Sequence, residues 1–346
     1  MKNRRNNLRP SMRDKKNNKN QERPKRASKK FSVLFYAAAG LIIIFVVAGF
    51  FIFSNKTPSP ASIYVSSENV KQGDTVFIGV ESQAGQVAGN FAQEKLLFYK
   101  QADSSDWISF LGIDADQNPG DYKISVDTSN AEHLTKNIKV SLAGFSGVPA
   151  TPAPAITKNG YTPGKALNNI RTKDNPVLNK IVDNFTAAPY FNAPFSFPLS
   201  KIAKNGFSFG QFIGLAGSKI QHLGVDLNAP EKTEVYAVND GKVVLAAALS
   251  NYGNTVVIDH GLGIFSLYLH LDKFNVSPGD MVRRGQGIGL SGDTGYVTGP
   301  HLHFSMRVDA SRVDPLAFIK TSQDINNSNP IISAASIGNA VLNFFK

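Results

Sequence analysis

The chain of 346 residues has no cysteine and only six histidines. Without cysteine it can form no disulfide bond, and a zinc site with thiolate ligands is excluded. Any metal site of this kind must therefore use histidine and carboxylate side chains. The absence of disulfides fits a protein outside the cytoplasm but does not require that location.

Excess positive charge is missing from most of the chain. Residues 1–30 hold 13 of the 37 Lys and Arg residues and only 2 of the 26 Asp and Glu residues, so the formal net charge of +11 belongs to this segment. The remaining chain has 24 basic and 24 acidic residues and is neutral. A neutral body provides no basic domain face, and we expect no nucleic-acid partner.

The chain has one long apolar run, residues 31–53, which contains no charged residue. A helix of this length crosses a hydrocarbon core of about 30 Å, and the basic residues before it are of the kind that stay in the cytoplasm. We therefore expect a single-pass transmembrane helix, with residues 1–30 as a cytoplasmic tail and residues 54–346 outside. A cleaved signal peptide is the alternative, although such apolar regions are usually shorter.

The sequence beyond the apolar run predicts an all-β protein. In residues 60–145, short runs of β-branched and aromatic residues alternate with turn sequences such as KQGD and QNPGD, which is typical of a small antiparallel sandwich. Residues 146–194 are predicted to be a linker, because their first part is rich in Pro, Ala and Thr. A short helix within 167–186 is compatible with this prediction.

Residues 195–320 again contain short strands with many glycines, which predicts a second antiparallel β-domain. Because a proline-rich linker precedes it, we expect this domain to fold without the sandwich. Residues 321–346 are predicted to form a C-terminal tail whose role the sequence does not assign.

Five of the six histidines lie in this second β-domain, and two groupings stand out. In QHLGVDLNAP, an extended segment places His222, Gly224 and Asp226 on one face. In PHLHF, the same period places His301 and His303 on one face.

The strand period directs Leu302 and Phe304 to the opposite face, toward the core. Each histidine grouping alone is a weak indication, but together they offer imidazole and carboxylate ligands suited to zinc. A catalytic zinc site uses three protein ligands and leaves a position open, so the remaining groups are available for proton transfer.

Three stretches in this domain carry a resemblance to a known family. HLGVDLNAP, the long segment ending in GPHLHF, and VDPLAFI resemble, in this order, the M23 zinc metallopeptidases of the lysostaphin or LytM type. The resemblance covers roughly residues 195–320. Residues 63–145 are less specifically similar to the Ig-like domain that precedes some M23 domains.

The resemblance implies one zinc ion per chain, with His222, Asp226 and His303 as ligands. It implies that His301 is the general base and that His270, in YLHL, assists and helps to stabilise the oxyanion. The implied substrate is the peptide part of peptidoglycan, and the implied location is a bacterial cell membrane with the catalytic domain on the outer side. The bond cleaved and any protein partners are left open.

Two positions depart from the family pattern. FGQF, residues 209–212, stands where the family often has Phe-Gly-x-Arg, and Ser305 stands where it often has Glu. Neither position is an implied ligand, so we expect them to affect substrate fit rather than metal binding. A non-catalytic LytM-type scaffold that binds the wall or activates an amidase is the alternative function, and a surface protein carried by the sandwich is a third. His260 is expected to be structural.

Overall fold

A computed structural model describes residues 59–102, 104–147, 160–204 and 206–328. The predicted transmembrane run at 31–53 lies outside these ranges. Within them, no helix is both long and apolar enough to cross a membrane. The described residues form one compact unit, and strands are its main elements, as the sequence predicts.

The N-terminal β-unit is a pair of sheets that face each other. Its nine strands are Ser62–Val65 (β1), Asn69–Lys71 (β2), Thr75–Glu81 (β3), Val87–Phe91 (β4), Glu94–Leu96 (β5), Tyr99–Lys100 (β6), Asp106–Gly112 (β7), Gly120–Thr128 (β8) and His133–Ser141 (β9). One sheet has the order β1-β3-β7-β6 and the other β2-β9-β8-β4-β5. All pairs are antiparallel except β2 with β9. Buried residues such as Ile78 and Val126 form one core between the sheets, as the period-2 pattern predicts.

A helical segment follows. It consists of Pro163–Asn169 (α1), a π-helical turn at Ile170–Asp174 and Asn175–Val182 (α2). Thr162 caps the start, because its hydroxyl accepts a hydrogen bond from the Lys165 backbone N–H at 3.2 Å. The buried Asp174 carboxylate accepts backbone N–H groups from residues 250–252, which fixes the segment to the second β-unit.

The second β-unit is built around a nine-stranded sheet. Its strands, with the separate hairpin β10–β11, are Phe212–Leu215 (β10), Ser218–Gln221 (β11), Val225–Leu227 (β12), Glu234–Tyr236 (β13), Gly241–Leu249 (β14), Gly253–Asp259 (β15), Ile264–Phe274 (β16), Met281–Val282 (β17), Gly287–Ser291 (β18), Leu302–Val308 (β19) and Ser311–Val313 (β20). The main path is β12-β19-β16-β15-β14-β17, and every pair in the sheet is antiparallel. This order places β12, β19 and β16 side by side.

A final helix, Pro315–Ser328 (α3), continues past residue 320, where the sequence predicted the start of a tail. The Asp314 carboxylate accepts the backbone N–H of Leu316 at 2.9 Å, which begins the helix. Phe318, Ile319 and Ile325 are buried in the core, and this burial explains why the helix extends so far.

The two β-units share apolar packing. Phe110 of β7 lies with its ring centroid 6.3 Å from that of Phe191 and 6.2 Å from that of Phe318. Arg312 of β20 donates its Nε–H to the Asp114 carboxylate at 2.9 Å. This packing differs from the separate cores that the proline-rich stretch suggested. The domain boundaries and independent folding of residues 195–320 stay predictions.

Candidate metal centre

Three adjacent strands bring the predicted site residues together. Asp226 on β12 lies opposite His303 on β19, and His303 lies opposite Leu269 on β16. His270 follows Leu269, and His301 sits just before β19. Together with His222, all of the sequence-predicted site residues line one groove.

Three ligand-type atoms converge at the centre of this group. The Nε2 atom of His222 lies 3.0 Å from Oδ1 of Asp226 and 2.9 Å from Nδ1 of His303. The same Nδ1 of His303 lies 3.1 Å from Oδ1 of Asp226. The three side chains therefore form a closed triangle, which we call the ligand triangle.

Hydrogen bonds on the outside of the triangle set where the ring protons are. Nδ1 of His222 lies 3.2 Å from the carbonyl oxygen of Ser208, which can only accept. Nε2 of His303 lies 2.9 Å from the Ser305 hydroxyl, which itself donates to the Leu223 carbonyl. In the tautomer that donates its proton outward, each ring presents the lone pair of its other nitrogen to the triangle, as a metal ligand must.

The charges of the triangle also suit a cation. Burial would raise the pKa of Asp226, but its polar contacts with His222 and His303 outweigh that effect and hold the pKa well below its usual range. Its second oxygen, Oδ2, accepts the Phe207 backbone N–H at 3.0 Å. Burial lowers the pKa of His303 to about 4, so this ring is neutral at neutral pH. The triangle combines one carboxylate with neutral imidazole.

This arrangement fits a zinc ion. Three atoms with lone pairs about 3 Å apart repel one another unless a cation lies between them. Two imidazoles and one carboxylate are ligands that zinc takes in catalytic sites, and its bond lengths place tetrahedral ligand atoms about 3.3 Å apart. Within the described part of the chain, these three residues are the set that could hold a metal ion.

His301 and His270 stand beside the triangle. Nε2 of His301 lies 3.6 Å from Oδ1 of Asp226, beyond hydrogen-bond distance, while its Nδ1 lies 2.9 Å from the Gly299 carbonyl. Nδ1 of His270 lies 2.8 Å from the Thr294 carbonyl, and the two rings are 5.2 Å apart. In each neutral ring the proton is therefore on Nδ1, and Nε2 can accept another.

Burial, followed by the charges of neighbouring histidines, lowers the pKa of His270 to about 3. Its backbone is also unusual, with a φ of 63° in the left-handed region. His270 belongs to a β-bulge, since Leu269 and His270 together oppose the single residue Thr255. The bulge interrupts the alternation of side chains along β16 at His270. The sequence pattern could not reveal this interruption.

Gly224 permits the close packing of the triangle. A Cβ atom at this position would lie 2.4 Å from both Nε2 of His303 and Oγ of Ser305. Ser305, for which the sequence suggested an effect on substrate fit, contacts the ring of His303 in the triangle. The alternation of β19 places Ser305 on the same face as His303, and that signal could have identified its role.

The remaining candidates lie in different surroundings. His260 is fully buried, with Nδ1 2.7 Å from the Asp240 carbonyl and Nε2 2.7 Å from the Ser266 hydroxyl, as expected for a structural residue. Leu302 and Phe304 are buried as the strand period predicts. The site opens into a groove of about 1410 Å³.

Residues 220–315 match the profile of peptidase family M23. The chain is 40% identical over 112 residues to peptidoglycan DD-endopeptidase ShyB of Vibrio cholerae, which covers 32% of this chain and 26% of that protein. It is 40% identical over 133 residues to glycyl-glycine endopeptidase ALE-1 of Staphylococcus capitis, which covers 36% of each. The chain thus spans about a quarter to a third of the length of these curated relatives.

Among solved structures, the catalytic domain of lysostaphin from Staphylococcus simulans is 38% identical to the matching part of this chain. The match covers 33% of this chain and 90% of that domain, with a TM-score of 0.31. The profile match spans the segment that carries the ligand triangle. Residues 220–315 therefore form a peptidase family M23 domain.

Proposed function

We propose that this protein is a membrane-anchored zinc endopeptidase that hydrolyses peptide bonds in the stem peptides or cross-bridges of peptidoglycan. The observation that carries the proposal is the ligand triangle, in which one carboxylate oxygen and two imidazole nitrogens lie 2.9 to 3.1 Å from one another. The names of the relatives support the substrate class, because ShyB and ALE-1 are both named as endopeptidases.

His222, Asp226 and His303 would hold the ion. When bound, zinc supplies Lewis-acid chemistry, which polarises the scissile carbonyl and acidifies water. The protein contributes a dry, preorganised set of ligands, since these side chains are largely buried and fixed by the bonds described above.

His301 is the proposed general base. Its Nδ1 proton is held by the Gly299 carbonyl, so the Nε2 lone pair faces the reacting centre and takes a proton from the attacking water. The same nitrogen then carries that proton to the leaving amine. The ring is therefore restored to its neutral form at the end of the reaction.

His270 has the same proton arrangement, which refines its proposed role. A neutral His270 carries its proton on Nδ1, so it can donate a hydrogen bond to an oxyanion from Nε2 only after Nε2 has taken a proton. We therefore propose that His270 assists the reaction and stabilises the oxyanion in its protonated form.

The test is digestion of defined muropeptides by the purified full chain, with products identified by mass spectrometry and bound zinc measured on the same samples. We expect about one zinc per chain and cleavage at a single type of peptide bond. Zinc binding without hydrolysis of any muropeptide would favour a non-catalytic scaffold. Absence of bound zinc would contradict the proposal itself.

The proposed location has a separate test. Protease added to intact cells or spheroplasts should digest residues 54–346 and spare residues 1–30, because the basic tail is proposed to lie in the cytoplasm. Protection of the large portion would contradict this topology. A mature N-terminus near residue 60 would instead indicate a cleaved signal peptide.

A further inference from the structure

Arg307 lies on the strand face that carries the ligand triangle. Along β19, His303, Ser305 and Arg307 alternate with the buried Phe304 and Met306, so the three share the groove face. Four residues of an antiparallel strand span about 13 Å. Arg307 is thus placed on the groove floor at about this distance from the ligand His303.

The positive charge of Arg307 has no directly bonded counter-ion in the part of the chain that the structure describes, although the Asp114 carboxylate, which is bonded to Arg312, acts on it at longer range. Across the described residues, its guanidinium makes no hydrogen bond and no ion pair. Burial, followed by the charge of Arg312, lowers the pKa of Arg307 to about 10. The side chain is still charged at neutral pH, so the folded protein keeps a half-buried cation without a hydrogen-bonded counter-ion.

Arg312 shows how a paired arginine looks in the same part of the sheet. It lies directly opposite Arg307 in the pairing of β19 with β20. Its guanidinium contacts the carboxylates of both Asp114 and Asp116. Those two aspartates are therefore committed to Arg312. Ser305 is uncharged, and its hydroxyl is already engaged by His303 and the Leu223 carbonyl.

An anion from outside the protein is the missing partner. A guanidinium presents paired N–H donors that match a carboxylate, and such bonds are strong where water is excluded. The groove is large enough to admit a peptide. We propose that Arg307 is a specificity-determining residue that binds a free carboxylate of the substrate peptide, at a subsite about four residues along β19 from the catalytic centre. This rests on the proposed peptidase function.

The test compares pairs of synthetic muropeptides that differ only in one group, a free carboxylate or its primary amide. For one such pair, wild type should favour the carboxylate by roughly 10- to 100-fold in kcat/KM, the range of a hydrogen bond to a charged group. Arg307→Gln should bring the ratio close to one while hydrolysis of the amide stays near wild type. Arg307→Lys should keep part of the preference, because it keeps the charge but loses the paired donors.

Arg171→Gln is the matched control. Arg171 is exposed and also lines the groove, so the variant removes one positive charge from the same groove. It should retain the carboxylate preference. An equal loss in both variants would indicate a general charge effect and overturn the subsite.

Calorimetric titration of the same peptide pair into the zinc-free full chain separates this proposal from the peptidase proposal. Wild type should bind the carboxylate form more tightly, and Arg307→Gln should bind both forms equally. Equal binding of the two forms by wild type would overturn the subsite, whether or not the chain hydrolyses muropeptides. Tighter carboxylate binding without hydrolysis would keep the subsite and contradict only the peptidase function.

Discussion

The second β-unit contains two histidine–serine pairs, one buried in the core and one at the groove. Nε2 lies 2.9 Å from a serine hydroxyl in His303–Ser305 and 2.7 Å in His260–Ser266. At His260 the other nitrogen donates to the Asp240 carbonyl, so both ring nitrogens have protein partners. At His303 the other nitrogen faces only the triangle.

The serines have different third partners. Ser305 donates its proton to the Leu223 backbone carbonyl, and Ser266 donates to the Tyr268 hydroxyl at 3.0 Å. The two pairs therefore differ in what meets the other ring nitrogen, which is the Asp240 carbonyl at His260 and the ligand triangle at His303.

The largest effect is expected from removing a ligand. His303→Ala and Asp226→Ala should each lose most of the bound zinc and nearly all hydrolysis, because either change opens the triangle. His260→Gln should keep about one zinc per chain. Metal analysis by mass spectrometry decides this, and zinc retained by His303→Ala would contradict the assigned ligand set.

The next effect is expected beside the triangle. His301→Ala and His270→Ala leave three ligands in place, so zinc should remain near one per chain while turnover falls by roughly 10²- to 10⁴-fold. Wall-hydrolysis rates measured with zinc content test this. If His301→Ala loses its zinc and His303→Ala keeps it, the two roles are exchanged.

The two serines give a smaller and more specific contrast. Ser305→Ala should weaken zinc binding by roughly 10- to 100-fold, the range for losing a group that orients a metal ligand. Ser266→Ala removes the equivalent hydroxyl from His260 and should leave zinc affinity unchanged. Competition with a zinc chelator measures both, and equal affinities in the two variants would remove the distinction between the pairs.

The smallest effect concerns stability and pH. Burial lowers the pKa of His260 to about 4, against an ordinary value of 6.5, so the unfolded chain takes up its proton first as pH falls. The stabilisation is therefore present above pH 6.5 and is lost as pH falls toward 4. His260→Gln should flatten this dependence by up to about 1.4 kcal/mol per pH unit. Denaturant unfolding of the zinc-free chain across this range tests the sign and the slope.

The sequence predicted the parts of the site that follow strand periodicity. Alternation placed Leu302 and Phe304 in the core, where both are buried, and left His301 and His303 facing the groove. The turn of His270 out of β16 depends on a bulge, which no simple period encodes.

The packing between the two β-units could not be predicted from the sequence either. Phe110 is separated from Phe318 by most of the chain, so the contact between the two β-units depends on tertiary structure rather than on local composition. A proline-rich stretch indicates a connection, but it does not report whether the flanking units pack together. The transmembrane helix stays a prediction from its uncharged run.

The left-handed backbone of His270 lowers the stability of the fold at a position whose side chain is proposed to take part in the reaction. A residue with a Cβ atom at φ 63° costs roughly 1 kcal/mol or more relative to one that adopts this region freely, and glycine is that residue. Selection for a robust fold alone would favour glycine at position 270. His270→Gly is therefore expected to withstand heat at least as well as His270→Ala while remaining equally slow. At this position the fold accepts a lower stability in order to keep a reactive side chain.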